Sequence, residues 1–151
     1  MTSLSPQGKV ERLLRIFERT GGEGQWTRAF ERFPDALRTR MLEQVPIALD
    51  ELPVLAHFED EARWTLITTD KVVIRRGEHT RALRWTEIAD ATVDTGYASA
   101  MLGSHSRGKL ALSQLSLVCV SGERVAVELE AGPPFIGLWN VLKTVGNLRA
   151  G

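Results

Sequence analysis

Cysteine and long apolar runs are scarce in this sequence, and each scarcity excludes a class of protein. Cys119 is the only cysteine among the 151 residues, so no disulfide can form within the chain. No apolar run approaches the roughly 20 residues that a helix needs to cross a bilayer. The N-terminus also lacks the basic start and apolar stretch of a signal peptide. These features predict a cytoplasmic protein in which Cys119 is a buried apolar residue.

An excess of charge of either sign is also missing. Lys plus Arg and Asp plus Glu are 19 each, so the formal net charge is zero. A neutral chain lacks the positive field of most nucleic-acid-binding domains, and we expect no nucleic-acid partner. The charges are unevenly placed, because residues 46–70 are mainly acidic and residues 71–84 mainly basic. The arginines of the second stretch define a predicted basic surface, the basic ribbon: Arg75, Arg76, Arg81 and Arg84.

The first 45 residues contain three apolar stripes with helical spacing, which predict three short helices. Each helix has a single apolar face, so none is expected to be stable alone. Residues 1–50 are therefore predicted to form a helical segment that packs on the remainder of the chain. A dimer interface through Trp26, Phe30 and Phe33 stays open as the alternative. The three stripes are Val10, Leu13, Leu14 and Phe17; Trp26, Ala29, Phe30 and Phe33; and Leu37, Met41 and Val45.

From about Val54 the apolar period changes from helical spacing to two, which is typical of β-strands. Some seven short strands follow, and their short connections favour antiparallel pairing. After Pro133 and Pro134 the helical period returns, and one amphipathic helix closes the chain. The order of elements predicts an α+β fold. The apolar stripe of the closing helix consists of Phe135, Leu138, Trp139, Leu142 and Val145.

Three features of residues 54–149 resemble the bacterial pleckstrin-homology-like and GRAM domains. Leu66-Ile-Thr-Thr-Asp-Lys-Val-Val-Ile74 resembles their strand–turn–strand hairpin, and Leu83-Arg-Trp-Thr-Glu-Ile88 their following strand. The closing helix with Trp139 resembles the helix that plugs one end of their barrel. The resemblance implies a pleckstrin-homology-like domain over residues 51–151: an antiparallel barrel or sandwich of about seven strands, capped by the C-terminal helix. It implies binding of phosphoinositides, peptides or proteins rather than catalysis.

The residues that carry chemistry in enzymes do not form a recognisable pattern. His57, His79 and His105 are scattered, without a Cys or carboxylate at metal-ligand spacing. Ser104 and Ser106 flank His105, but a nucleophilic site needs a third, orienting group from elsewhere in the chain. We therefore predict no catalytic residue, no metal and no cofactor, and we expect His57 to have a packing role.

The stretch from Asp94 to Gly108 lies between two strand patterns. A compact domain seldom keeps so long a connection unless it binds something or is disordered. Its side chains include apolar and polar contact groups between glycines, and we predict that it binds a partner. The predicted partner-binding residues are Tyr97, Met101, Leu102, His105 and Arg107.

The function predicted from these features is that of a non-catalytic interaction module that binds a protein through this stretch and the basic ribbon. A narrower form of the same hypothesis is an immunity-type protein that neutralises a toxin. Peripheral binding to anionic membrane lipid is the disfavoured alternative. In lipid-binding members of the group that the chain resembles, basic residues project from the first hairpin, which here carries Glu59, Asp60 and Glu61. An enzyme of unrecognised type is the remaining alternative, and homo-oligomerisation stays open.

Overall fold

The computed structural model describes residues 5–94 and 112–148, and for residues 147 and 148 it describes the backbone only. The predicted partner-binding residues Tyr97, Met101, Leu102, His105 and Arg107 lie outside the described residues. Within them the fold is α+β, as predicted, with two antiparallel sheets and a C-terminal helix. The α-helices of the described chain are α1 (Pro6–Thr20), α2 (Asp35–Gln44) and α3 (Pro133–Leu148).

The described chain contains eight strands; the 3₁₀ helix Phe30–Arg32 and α2 lie between the first two, and the 3₁₀ helix Trp85–Glu87 lies between the fifth and sixth. The seven strands predicted from the period-two pattern are all present, from β2 to β8. The strands are β1 (Thr27–Ala29), β2 (Pro53–Asp60), β3 (Arg63–Thr68), β4 (Lys71–Arg76), β5 (His79–Arg84), β6 (Ile88–Thr92), β7 (Gln114–Cys119) and β8 (Arg124–Glu128).

The additional strand, β1, corrects the predicted helix at Trp26–Phe33. This segment forms β1 and then the 3₁₀ helix Phe30–Arg32. β1 pairs antiparallel with β2, and the N–H of Phe58 donates to the carbonyl of Trp26 at 2.9 Å. Pairing with a neighbouring strand thus outweighs the local helical spacing, because a segment this short gains little from helix formation on its own.

Of the predicted barrel or sandwich, only the closed barrel is corrected, because no closed barrel exists among the described residues. Strands β1 to β5 form one sheet in sequence order, and β6 to β8 form a second, three-stranded sheet. The 3₁₀ helix Trp85–Glu87 lies between β5 and β6 and carries the chain from one sheet to the other. Strands β5 and β6 do not pair with each other, so the first sheet ends at β5 and the second begins at β6.

The central strands of the five-stranded sheet are buried on both faces. On β3, Ile67 belongs to the core between this sheet, the three-stranded sheet, α1 and α3, whereas Leu66 belongs to a second cluster on the opposite face. This opposite, outer face is covered by the N-terminal segment of the same chain. The covering side chains are Phe30, Phe33, Met41 and Val45, all less than a tenth exposed.

Helix α3 packs against α1 and β6 with the predicted apolar stripe. Phe135, Leu138, Leu142 and Val145 are fully buried. Trp139 is half-buried; its ring contacts Phe135 edge-on, and its indole N–H donates to the carbonyl of Ala91 on β6 at 3.0 Å. Cys119 is buried in the same core, as predicted.

Helix α1 is capped at both ends. The Ser5 hydroxyl accepts the N–H of Gly8 at 3.1 Å, and Pro6 occupies the first turn, where no N–H is needed. The N–H of Gly21 closes the last turn on the carbonyl of Phe17. Glycine is required where α1 meets α3, because a Cβ on Gly137 would lie 2.8 Å from Cδ1 of Phe17.

Candidate partner-binding surface

The basic ribbon does not form one surface, because side chains of successive strand residues point to opposite faces. The register pairs Arg75 with Thr80 and Arg76 with His79, so adjacent arginines of β4 belong to different faces of the sheet. Arg81 shares a face with Arg76, whereas Arg84 lies on the outer face with Arg75. The sequence predicted the four positions but not this division.

The two arginines on the inner face are bound within the chain. An oxygen of Glu128 lies 2.8 Å from Nη2 of Arg76. Arg81 forms two hydrogen bonds with Glu123, at 2.5 and 2.6 Å. This fork-shaped pairing raises the pKa of Arg81 and lowers that of Glu123. Both ion pairs connect the five-stranded sheet with the β7–β8 hairpin, so these charges are partly neutralised.

The two outer-face arginines make no ion pair with any side chain of the described chain. Nη1 of Arg75 donates to the Thr80 hydroxyl at 2.8 Å, and its Nε is buried without a partner. Arg84 is exposed, and its backbone N–H donates to Glu87 at 3.1 Å. The charges available for a partner are therefore on the outer face of β4 and β5.

Strand β5 is the last strand of the five-stranded sheet, with β4 as its neighbour. Residues 79–82 are exposed, in contrast to the buried centres of β3 and β4. An exposed edge strand presents backbone N–H and C=O groups to which another chain can pair. The sequence contains a signal for this position, because His79-Thr-Arg-Ala82 has none of the apolar alternation of the other strands.

Beside β5, on the outer face, lies a groove of about 350 Å³. We call it the β5 groove. One wall is the end of α2 and the residues after it, Val45 and Pro46, and the floor is formed by Val73, Thr80 and Ala82. The rim contains two acidic and two basic side chains: Asp70, Lys71, Arg84 and Glu87.

The wall of the β5 groove is held by a buried carboxylate, Glu51. Lys71 Nζ lies 3.2 Å from Glu51 Oε1 and donates to the carbonyl of Pro46 at 2.8 Å. Glu51 also accepts the Thr68 hydroxyl and the N–H of Ala48. Burial favours its neutral acid, but these hydrogen bonds and the charge of Lys71 outweigh burial and lower its pKa. The groove is thus built in the unbound chain.

A second polar cluster lies in the interior, at the opposite edge of the sheet. The hydroxyl of Thr27 lies 2.9 Å from Glu130 Oε1 and 3.2 Å from His57 Nδ1, and Thr27 is fully buried. A carboxylate only accepts, so the hydroxyl proton points to Glu130 and the hydroxyl accepts from His57. His57 therefore carries its proton on Nδ1 and cannot act as a base toward Thr27. The cluster holds β1 rather than forming a nucleophile.

His57 has the packing role that the sequence predicted. It is 4% exposed and contacts the Trp26 ring edge-on. Burial lowers its pKa, and the charge of Glu130 opposes this only in part. Burial likewise raises the pKa of Cys119, with Glu123 adding to the effect, so this thiol stays protonated.

Two findings concern the described residues as a whole. No group of three or more His, Cys, Asp or Glu side chains in residues 5–94 and 112–148 is arranged to hold a metal ion. None of the helices described is long and apolar enough to cross a membrane. Comparison of the chain with protein-family models, with curated proteins and with solved structures finds no match.

Proposed function

We propose that this protein is a non-catalytic interaction module that binds an extended segment of a partner protein along β5. The observation that carries the proposal is the juxtaposition of an exposed edge strand with the β5 groove. Edge strands recognise extended peptides by adding one strand to the sheet, with backbone hydrogen bonds for affinity and side-chain pockets for specificity. Here the edge and the pocket lie side by side.

We also propose that residues 53–148 have a pleckstrin-homology-like architecture. The order of elements supports this: four antiparallel strands (β2–β5), three further strands (β6–β8) and a C-terminal helix. Strand β1 is an addition at the far edge of the first sheet. The contact between α3 and β6 also supports this architecture, because the indole N–H of Trp139 donates to the carbonyl of Ala91.

The β5 groove favours an apolar side chain of the partner. Its floor consists of Val73, Thr80 and Ala82, and the small side chains of the last two leave room above them. Burying one Val- or Leu-sized side chain contributes about 1.5–3 kcal/mol. Arg84 has no ion-pair partner in the described chain and lies at the rim, where a carboxylate next to the apolar side chain would meet it. The favoured partner segment is therefore extended, with an apolar residue near an acidic one.

Selection of peptides from a random displayed library on the full-length protein tests this function. We expect extended sequences of that kind to be enriched and to protect the amides of residues 79–84 from hydrogen exchange. Ala82→Trp fills the groove and should weaken their binding about tenfold or more, a loss of about 1.4 kcal/mol. Ala36→Trp places the same side chain on an exposed position of α2 and should leave binding unchanged.

Two results would contradict the proposal. One is an equal effect of Ala82→Trp and Ala36→Trp on the selected peptides. The other is the absence of any enriched peptide together with flotation of the protein on vesicles of phosphatidylserine, which would favour the lipid alternative.

A further inference from the structure

A second groove lies at the other side of the five-stranded sheet, and it arises from the way α1 packs. The apolar stripe predicted for α1 is divided in the structure. Leu13 and Phe17 are fully buried in the core, whereas Val10 and Leu14 are only half-buried. Part of the apolar face of α1 therefore remains accessible to a partner.

These half-buried side chains line a groove of about 420 Å³. We call it the α1 groove. Gln7, Val10, Glu11 and Leu14 share one stripe of the helix, at spacings of three and four residues, and form one wall. Pro53 and Val54 at the start of β2, together with Leu52, form the apolar floor, and Phe30 and Glu31 form the opposite wall. Its volume lies in the range of ligand-binding clefts, about 300–1,000 Å³.

The charges of the α1 groove are of one sign. Glu11 and Glu31 are the charged residues that line it, one on each wall, and both are exposed. Neither forms an ion pair with a described residue, although other glutamates of the chain do, such as Glu23 with Arg32. An apolar floor between two carboxylates without counter-ions complements a segment that places apolar side chains next to Lys or Arg.

We propose that the α1 groove is a second docking site, which binds a basic amphipathic segment of a partner protein. Apolar side chains of the segment occupy the space above Leu52, Pro53 and Val54, and its basic side chains meet Glu11 and Glu31. The groove opens beside β2, next to β1, whereas β5 is the opposite edge of the sheet. The inference is therefore independent of the function proposed for the β5 groove.

Binding of a short model peptide tests the proposal. The probe is a fluorescent peptide of leucine and lysine with all leucines on one helical face, and its control replaces every lysine by glutamate. We expect the full-length protein to bind the lysine peptide, more weakly as salt rises, and to leave the glutamate peptide free. Replacing Glu11 and Glu31 by Gln should weaken binding by roughly two- to fivefold for each charge. The matched control is Glu18→Gln with Glu43→Gln, two exposed carboxylates outside the groove, which should have no effect.

A variant with a larger side chain tests whether the apolar floor of the α1 groove is needed for binding, and it leaves the fully buried core side chains in place. Val10→Trp fills the groove from the α1 wall and should reduce binding of the lysine peptide about tenfold or more, while the unfolding transition stays cooperative. Equal binding by all variants, or equal binding of both peptides, would overturn the proposal. So would sedimentation as a dimer that Val10→Trp dissociates, since a second copy of the chain would then cover the groove.

Discussion

The carboxylate of Glu130 accepts the backbone N–H of Trp26 at 2.9 Å, although 104 residues separate the two in sequence. The same carboxylate accepts the N–H of Gln25 at 2.6 Å and the hydroxyl of Thr27 at 2.9 Å. One side chain between β8 and α3 thus satisfies three donors of the segment that leads into β1. This contact ties the N-terminal segment to the end of the second sheet.

The first prediction concerns this contact. Glu130→Gln removes the negative charge and replaces one acceptor oxygen by a donor, so part-buried donors lose their partner. Hydrogen bonds to charged groups contribute about 1.5–3 kcal/mol each, and we expect the free energy of unfolding in urea to fall by about 1–3 kcal/mol. Glu128→Gln, two residues earlier, removes an exposed ion pair with Arg76 and should cost less than about 1 kcal/mol. Equal losses of unfolding free energy for the two variants would show that the hydrogen bonds of Glu130 contribute no more than an exposed ion pair.

The second prediction concerns pH. Burial lowers the pKa of His57 below its ordinary value of 6.5, so the unfolded chain binds a proton more readily than the folded one. The stability that the neutral imidazole contributes is therefore complete above pH 6.5 and is lost as the pH falls from 6.5 toward the lower folded pKa. Each unit of difference corresponds to about 1.4 kcal/mol. Urea unfolding at about pH 7.5 and pH 5.5 measures this loss.

Two histidine variants separate this effect from other titrations. His57→Gln should remove most of the stability difference between the two pH values, at some cost in stability at both. His79→Gln changes an exposed residue of β5 and should keep the difference intact. If the stability of His57→Gln still differs between the two pH values, another titrating group causes the difference.

The third prediction concerns the contact between α1 and α3. Gly→Ala inside a helix normally stabilises by about 0.5–1 kcal/mol, because glycine loses more backbone entropy on folding. At Gly137 the added Cβ would lie 2.8 Å from Cδ1 of Phe17 and 3.1 Å from its carbonyl oxygen. Overpacking of this kind costs about 1–3 kcal/mol, so Gly137→Ala should destabilise the protein on balance.

A double-mutant cycle tests the cause of that destabilisation. Phe17→Leu shortens the side chain in the clash, and Gly137→Ala should cost less in this background than in the original chain. Thermal unfolding of the four proteins provides the comparison. If the effects of Phe17→Leu and Gly137→Ala on stability are strictly additive, the Phe17 side chain is not the cause of the destabilisation.

The fourth prediction concerns the N-terminal segment. A chain that begins at Leu52 loses the cover of the outer face, including Phe30 and Met41. Trp64, Leu66 and Val73, which are at most 2% exposed in the whole protein, would then face water. We expect strong binding of the dye ANS and aggregation detected by light scattering. A truncated chain that remains soluble and unfolds cooperatively would contradict the explanation that the N-terminal segment covers the sheet of its own chain.

Local patterns predicted the elements of the second half of the chain well. The alternation between Val54 and Leu129 predicted seven strands, and the stripe from Phe135 to Val145 predicted the closing helix; all are present. These patterns succeed because the core-facing side of a strand or helix repeats with the period of the element itself. The predicted helix at Trp26–Phe33 failed because a three-residue strand that pairs with β2 leaves almost the same apolar residues buried.

The candidate binding surfaces were harder to predict from the sequence than the helices and strands. The sequence shows the positions of the four arginines of the basic ribbon directly, but their division between two faces depends on strand register. Glu130 and Thr27 gave no signal at all, since their contact joins segments about a hundred residues apart. The predicted roles of Tyr97, Met101, Leu102, His105 and Arg107 stay predictions.

The sequence by itself determined which segments form strands and helices in residues 53–94 and 112–148, because backbone period and side-chain alternation are local properties. Only the tertiary structure decided that the central strands of the five-stranded sheet are covered on both faces, that the strands described do not close into a barrel, and that β5 ends the sheet beside a groove. Those features depend on which distant segments meet, and their energies come from contacts that no local pattern encodes.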